Sequence, residues 1–366
     1  MEERHKMIAY LGSKRTLVNN LVDILQVFPE LSTVGDIFSG TSRCGHAFKR
    51  AGWRVMANDH NAYAYTLAQC YVEADRENVE RDARILIAEL SRLKGEPGYF
   101  TDTFCVRSGF FQRRNGERVD AIREAIEAKN LDPILKSVLL VSLMEAANRV
   151  DNTCGLQMAY LKKWAARAYD NLELRMPDVV MATPKGSCKA LNLDANEAVR
   201  NFATDIAYID PPYNQLNYLS NYHIWESLVL WDKPEVYGVA CKRMDCRERK
   251  SAYNSKPKHK AIFRDLINNT KSRLLIVSFS DEGYHSYDDM METLSTKGEV
   301  FVIAKDYKRY VSAKKGEKVG KVSRLRNKEF IYLVATPELQ RDIPGVLTRL
   351  RKISNKLTDN DQGFLI

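Results

Sequence analysis

Two short apolar runs, Val34-Gly-Asp-Ile-Phe38 and Trp53 to Asn58, flank a glycine-containing turn and a helical stretch from about Arg43 to Ala51. That spacing constrains the fold more than any other feature of the chain. Strand, short turn, helix, short turn, strand is a βαβ unit, the building block of a parallel α/β sheet. An amphipathic helix from Thr16 to Val27, closed near Pro29, leads into it. Strand character returns at Asp205–Ile209, Arg273–Phe279, Val300–Ile303 and Phe330–Val334. The last two, joined by a basic stretch, are expected to pair antiparallel at one end of an otherwise parallel sheet. Between the two α/β blocks, residues 73–185 carry helical periodicity (Val79–Leu93, Val119–Ala128, Ile134–Val150) and no convincing buried strand. The organisation expected is a discontinuous α/β domain, 1–72 and 186–340, interrupted by a helical insertion over 73–185. A C-terminal helix and tail, 341–366, carries the stripe Leu347, Leu350, Ile353 and Leu357, which reads as core packing.

With 45% hydrophobic residues in 366, the chain can bury a substantial core. Its net charge of +9 is concentrated: residues 242–260 hold 8 Lys and Arg against 2 acidic residues, and 305–328 hold 10 against 2. A mildly acidic body with two basic segments suits a surface that follows a phosphate backbone, although solvated loops would read the same way. The seven cysteines form no CxxC pair and have no companion histidine cluster, so neither a metal site nor a disulfide framework is indicated. No apolar signal core follows Met1, and no stretch approaches the roughly 18 apolar residues of a membrane span. The expectation is a soluble, cytoplasmic, monomeric protein without a membrane partner.

The sharpest chemical signal is Asp210-Pro-Pro-Tyr213, directly after the run ending at Ile209. Two prolines cannot continue a central strand, so the chain leaves the sheet there. The carboxylate of Asp210 and the carbonyl of Pro211 are then presented at a strand's C-terminal edge, where open α/β sheets bind ligands. Pro212 stiffens the exit, and Tyr213 offers a ring on which a base taken out of a helix can stack. Two acceptors facing an amino group favour the pyramidal nitrogen that attack requires. A second signal is Asp36-Ile-Phe-Ser-Gly-Thr-Ser42 after the first strand. Gly40 permits a tight turn, and the amides opening the next helix can bind a carboxylate. Asp36 can accept from an ammonium group, Phe38 can pack beside a sulfonium, and Asp59 ends the second strand where acidic residues take ribose hydroxyls. Weaker signals are Tyr10-Leu-Gly-Ser-Lys-Arg15, which could be an ordinary helix entry capped by Ser13, and Asn148-Arg149 at a helix terminus.

In combination these motifs resemble the alpha-group (Dam-like) adenine-N6 DNA methyltransferases. Tyr10-Leu-Gly-Ser-Lys14 is similar to that family's N-terminal cofactor motif and Asp36-Ile-Phe-Ser-Gly40 to its first S-adenosylmethionine motif. Asp59 matches the acidic residue of the second, and Asp210-Pro-Pro-Tyr213 the catalytic tetrapeptide. Asn148-Arg149 with Gly155 resembles part of the DNA-recognition insertion, Asp194 a motif near the cofactor's adenine, and Ser278-Phe-Ser-Asp-Glu-Gly283 the segment after the next strand. Asn221-Tyr-His-Ile-Trp-Glu226 and Trp231-Asp232 resemble methylases of FokI-type restriction-modification systems. The resemblance covers about residues 8–335. It implies a Rossmann-like methyltransferase fold with S-adenosylmethionine held by Tyr10, Lys14, Asp36, Phe38, Ser39, Gly40, Thr41, Asp59 and Asp194. It also implies catalysis by Asp210, Pro211, Pro212 and Tyr213 on an adenine flipped from duplex DNA, and a cognate restriction endonuclease encoded separately. Asn148 and Arg149 would face DNA, and Lys314, Lys315 and Lys318 in the basic stretch are the expected phosphate contacts. Ser42 stands where the family commonly has a second glycine. RNA adenine methylation, or a catalytically dead DNA-binding protein of the same fold, remains open on the residues alone.

Overall fold

The computed structural model describes residues 7–12, 14–308 and 326–362. Seven strands form one sheet in the order β3-β2-β1-β4-β7-β9-β8, with β1 at Thr33–Asp36, β2 at Arg54–Asn58, β3 at Lys189–Leu191, β4 at Ile206–Ile209, β7 at Leu274–Ser280, β8 at Glu299–Lys308 and β9 at Arg326–Ala335. A separate two-stranded ribbon pairs β5 (Val236–Tyr237) with β6 (Lys242–Arg243). This is the expected Rossmann-like architecture: β1, β4 and β7 run parallel, as do β2 and β3, while β9 is antiparallel to both β7 and β8. The chain divides into two compact units, residues 1–18, 39–193 and 217–250 in one and residues 19–38, 194–216 and 251–366 in the other.

In the second unit β4 and β7 are buried along their whole length, as parallel strands covered on both faces must be. A polar staple sets their register. The Asp205 carboxylate accepts the backbone N–H groups of Ser32 and Thr33 at 2.9 and 3.0 Å, and both of their hydroxyls, while its other oxygen lies 3.4 Å from Arg273. The starts of β1, β4 and β7 are thereby aligned, and the ladder pairs Asp36 with Tyr208, two residues before Asp210. The anticipated antiparallel pair is present at the sheet edge, its ladder running from Glu299↔Ala335 to Lys308↔Arg326. The C-terminal helix Val346–Gln362 packs on β8 and buries Leu350, Ile353 and Leu357, whereas Leu347 is only half-buried.

The first unit gathers β2, β3 and the helices of residues 62–149 around a large core that includes Tyr71, Phe100, Phe104, Phe111, Met144 and Trp225. Its central helix, Pro133–Arg149, starts at an Asp132 cap whose carboxylate accepts the N–H of Ile134 at 2.9 Å, with proline in the first turn. From Ser137 to Ala147 it is buried on every face, so it serves as a core helix. The neighbouring helices run Arg76–Ser91 and Arg113–Ala128, each beginning several residues earlier than the sequence pattern suggested, because their first turns are polar. Among the described residues no helix is long and apolar enough to cross a membrane.

Candidate active site

In the first unit the turn after β1 is fixed from both sides. Gly40 lies at φ +51°, and a Cβ there would crowd the Tyr10 ring at 3.1 Å, so glycine suits the position on both steric and torsional grounds. The Gly40 N–H donates to Asp59 Oδ2 at 2.9 Å, and Asp59 Oδ1 accepts the Asn61 N–H at 2.9 Å. Burial pushes the Asp59 carboxyl above the usual carboxylate range, against the pull of those two amides. Asp59 Oδ1 also accepts from Asn61 Nδ2 at 3.3 Å, and with about two acceptor sites per carboxylate oxygen it is Oδ2 that retains capacity for a hydroxyl donor. The Ser39 N–H donates to the Asn58 carbonyl at 2.9 Å, which joins the turn to the end of β2. Thr41 is buried, as are Ser39 and Ser42, whose hydroxyls have no hydrogen-bond partner among the described residues.

Tyr10 stacks between two tyrosines, with ring centroids 4.6 Å from Tyr222 and 5.3 Å from Tyr218, and its hydroxyl lies 3.2 Å from that of Tyr63. The Tyr222 hydroxyl accepts the Leu11 N–H at 2.5 Å. Burial raises the Tyr10 phenol well above its ordinary range, with Tyr63 and Asp59 adding to the effect, so the cluster is neutral. Lys14 is buried, and its carbonyl accepts the N–H groups of Leu17 and Val18 at the entry to the helix Val18–Gln26. Ser13, the expected cap of that entry, lies outside the described residues.

Ser42 departs from the family's glycine, and its backbone shows what that departure costs. It sits at φ 58°, ψ 20°, the left-handed conformation that glycine adopts freely. An L-residue there costs about 1–2 kcal/mol, while glycine loses about 0.5–1 kcal/mol to unfolded-state entropy. Ser42→Gly also removes a buried hydroxyl without a partner, so the variant should be more stable by about 1 kcal/mol. A shift of the urea midpoint to higher concentration would show it, and a shift to lower concentration would contradict it.

In the second unit Asp36 is buried at the end of β1, and half-buried Phe38 packs edge-on against Tyr253 at 5.1 Å. Asp210 is half-buried immediately beyond β4, followed by buried Pro211 and half-buried Pro212 and Tyr213. The Tyr213 ring meets Phe279 at 5.7 Å, and its carbonyl accepts the Tyr284 N–H at 2.9 Å. The Pro212 carbonyl accepts from His259 Nε2 at 3.0 Å. Asp194 is exposed and caps the helix Ala195–Asn201 through the Asn196 N–H at 2.9 Å.

The residues expected to meet DNA are placed less simply. Asn148 Oδ1 accepts the Ala9 N–H at 3.3 Å, and Arg149 donates to the Glu173 carbonyl at 2.6 Å; both are half-buried. Lys314, Lys315 and Lys318 lie outside the described residues. Lys305, counted with that basic stretch, is buried and donates to the Leu357 carbonyl, so it is not a surface cation. In the other stretch Arg243 is buried between Asp232 and Asp245, Arg249 pairs with Glu226, and Lys260 with Asp289, which leaves its outward charge smaller than its composition implied. Tyr63, Tyr218, Tyr253, His259 and Tyr284 carry no sequence signal that singles them out, and Phe279 stands in the Ser278–Gly283 segment that resembles the family, with no role attached to it. Tyr222 and Glu226 stand in a segment that resembles the family, with no role attached to either.

A mostly parallel sheet with an acidic Pro-Pro-Tyr exit after one central strand and a glycine turn after its neighbour is the architecture of a Rossmann-like methyltransferase. The chain belongs to the D12 class N6 adenine-specific DNA methyltransferases, whose family model matches residues 10–293. It is 32% identical to the type II methyltransferase M.FokI of Planomicrobium okeanokoites over 84% of this chain and 50% of that protein. It is 30% identical to the type II methyltransferase M.NlaIII of Neisseria lactamica over 88% of this chain and 97% of that one. Modification methylase StsI of Streptococcus sanguinis is 30% identical over 83% of this chain and 49% of its own length. The chain thus spans about half the length of M.FokI and StsI and nearly all of M.NlaIII.

Proposed function

We propose that this chain transfers a methyl group from S-adenosylmethionine to adenine N6 at a specific sequence in duplex DNA, acting as the modification arm of a restriction-modification system. The observation that carries this reading is the Asp210–Tyr213 exit at the C-terminal end of β4, in a chain of the D12 family. The names of its relatives, type II methyltransferase and modification methylase, support the biological setting. A cognate endonuclease encoded separately, a monomeric state and a cytoplasmic location belong to the same reading.

The turn after β1 suits a small polar ligand: it offers the hydroxyls of Ser39 and Ser42, unpartnered among the described residues, and a glycine where a Cβ would crowd Tyr10. In this reading Asp36 accepts from the cofactor's ammonium group, and the Ser39 hydroxyl, Thr41 and Lys14 receive its carboxylate at the turn that Gly40 shapes. Phe38 supplies aromatic surface, Tyr10 borders the Gly40 turn with its ring edge, Asp59 takes ribose hydroxyls, and Asp194 approaches the adenine. Bound S-adenosylmethionine supplies the electrophilic methyl carbon. Asp210 and the Pro211 carbonyl accept the two N–H bonds of the adenine amino group, which draws its lone pair out of the ring. Tyr213 stacks on the flipped base, and the prolines hold the acceptors still. Residues 73–185, with Asn148 and Arg149, form the target-recognition insertion.

Purified protein, methyl-tritiated S-adenosylmethionine and either duplex DNA or RNA test the proposal. N6-methyladenine in the DNA nucleosides is expected, and label confined to RNA, or no label, would overturn it. For Lys314, Lys315 and Lys318 the expected role is phosphate binding. Neutralising all three should weaken binding to every duplex alike and make the slope of log affinity against log salt shallower by about 0.9 for each phosphate that loses its cation. An unchanged slope would mean that these lysines do not touch the backbone.

A further inference from the structure

The backbone leaving β4 is held by side chains and amides from three later segments of the second unit. His259, in the helix Lys256–Asn269, reaches the Pro212 carbonyl with Nε2 at 3.0 Å. The Tyr284 N–H, just beyond β7, donates to the Tyr213 carbonyl at 2.9 Å. Asn254 Nδ2 donates to the carbonyls of Asn214 and Leu216 at 2.8 and 3.0 Å. Because a carbonyl can only accept, the ring of His259 must carry its proton on Nε2.

The ring has little freedom to turn. His259 is fully buried in an aromatic box, with centroids 4.5 Å from His285, 5.5 Å from Tyr284, 5.8 Å from Tyr253, 6.1 Å from Phe279 and 6.4 Å from Phe263. Its Nδ1 has no partner among the described residues, and neither ring nitrogen of His285 has one. Among those residues, the His259 imidazole therefore spends its hydrogen bonding on the catalytic tetrapeptide. Burial depresses the basicity of both rings, so a neutral His259 with a bare Nδ1 is the resting form.

We propose that His259 is a positioning residue for the methyl-transfer reaction, its Nε2–H fixing the Pro212 peptide plane and so aiming the Pro211 carbonyl and the Tyr213 ring. The two tied carbonyls, of Pro212 and Tyr213, stand on either side of Tyr213, directly after the Pro211 acceptor. Because the Pro212 ring fixes its own φ, holding the Pro212 peptide plane also sets the Pro211 peptide relative to Tyr213. The inference rests on the functional reading above, in which Asp210, Pro211 and Tyr213 act on the adenine.

His259→Met keeps bulk and loses the donor, whereas His259→Gln carries an amide N–H near the position of Nε2. In steady-state transfer with duplex DNA, His259→Met should lower kcat by about 100-fold, the scale of a misplaced reactive group, with KM for DNA and S-adenosylmethionine little changed. His259→Gln should recover most of that loss. Equal activity of both variants with the unaltered protein, or equal losses in both when their melting temperatures match, would overturn the proposal. Nitrogen-15 NMR of histidine-labelled unaltered protein gives a reading that needs no variant to fold. A neutral ring with the proton on Nε2 is expected, and a proton on Nδ1 alone would overturn the bond. If the unaltered protein transfers no methyl to adenine, the functional reading fails, while the NMR result still decides whether His259 holds the tetrapeptide.

Discussion

Asp210→Ala should lower kcat for methyl transfer by at least about 10²–10³-fold, the scale measured when one preorganised transition-state partner is removed. The adenine amino group is a weak nucleophile because its lone pair is shared with the ring, and an acceptor on its N–H matters most as the nitrogen becomes tetrahedral. Loss of the carboxylate should therefore fall on kcat and spare the affinity for S-adenosylmethionine. The fold should survive, since Asp210 is half-buried beyond the last ladder pair of β4, and the β1 and β7 pairings do not use its side chain. Asp210→Asn, which keeps one acceptor oxygen, should lie between the two. Turnover of Asp210→Ala within a few-fold of the unaltered protein would remove the carboxylate from the mechanism.

Arg249→Met should cost about 3 kcal/mol of folding stability, because it strands a buried carboxylate. Glu226 is fully enclosed in the helix His223–Leu230. Its Oε2 accepts the Tyr63 N–H at 3.0 Å, and its Oε1 lies 3.0 Å from Arg249. Asn61, the N-cap of the helix Ala62–Ala68, makes no capping bond with its own side chain, so Glu226 satisfies that helix start from another element. The double variant Glu226→Gln/Arg249→Met keeps an acceptor for Tyr63 and leaves no unpaired charge, so it should lose less than Arg249→Met alone. Urea unfolding of the single and double variants measures the difference. A single variant as stable as the unaltered protein, or a double variant worse than it, would contradict this account of the pair.

Most of the sheet was legible because its strands are short apolar runs with turns at both ends: β1, β2, β4 and β7 lie where their apolar runs are, as does the antiparallel β8–β9 pair. The edge strand β3 was not, since Lys189–Leu191 has no apolar pattern and exists by pairing with β2. The site divides in the same way. Asp36, Gly40, Asp59 and Asp210 announce themselves because strand ends, turns and prolines are local features. His259 and Pro212 are 47 residues apart, Tyr63 and Glu226 163, and Leu11 and Tyr222 211; no period or composition links such partners. Ser42 is instructive in the other direction: its departure from glycine was visible, but its left-handed backbone belongs to the folded turn.

The central claim, sequence-specific adenine methylation, is tested most directly by single-molecule sequencing of DNA from cells that express this chain, beside cells that express its Asp210→Ala variant. The expected result is N6-methyladenine at one adenine of a fixed short sequence in the first sample and its absence from the second. Unmodified adenine in both samples, with the protein expressed and folded, would contradict the claim.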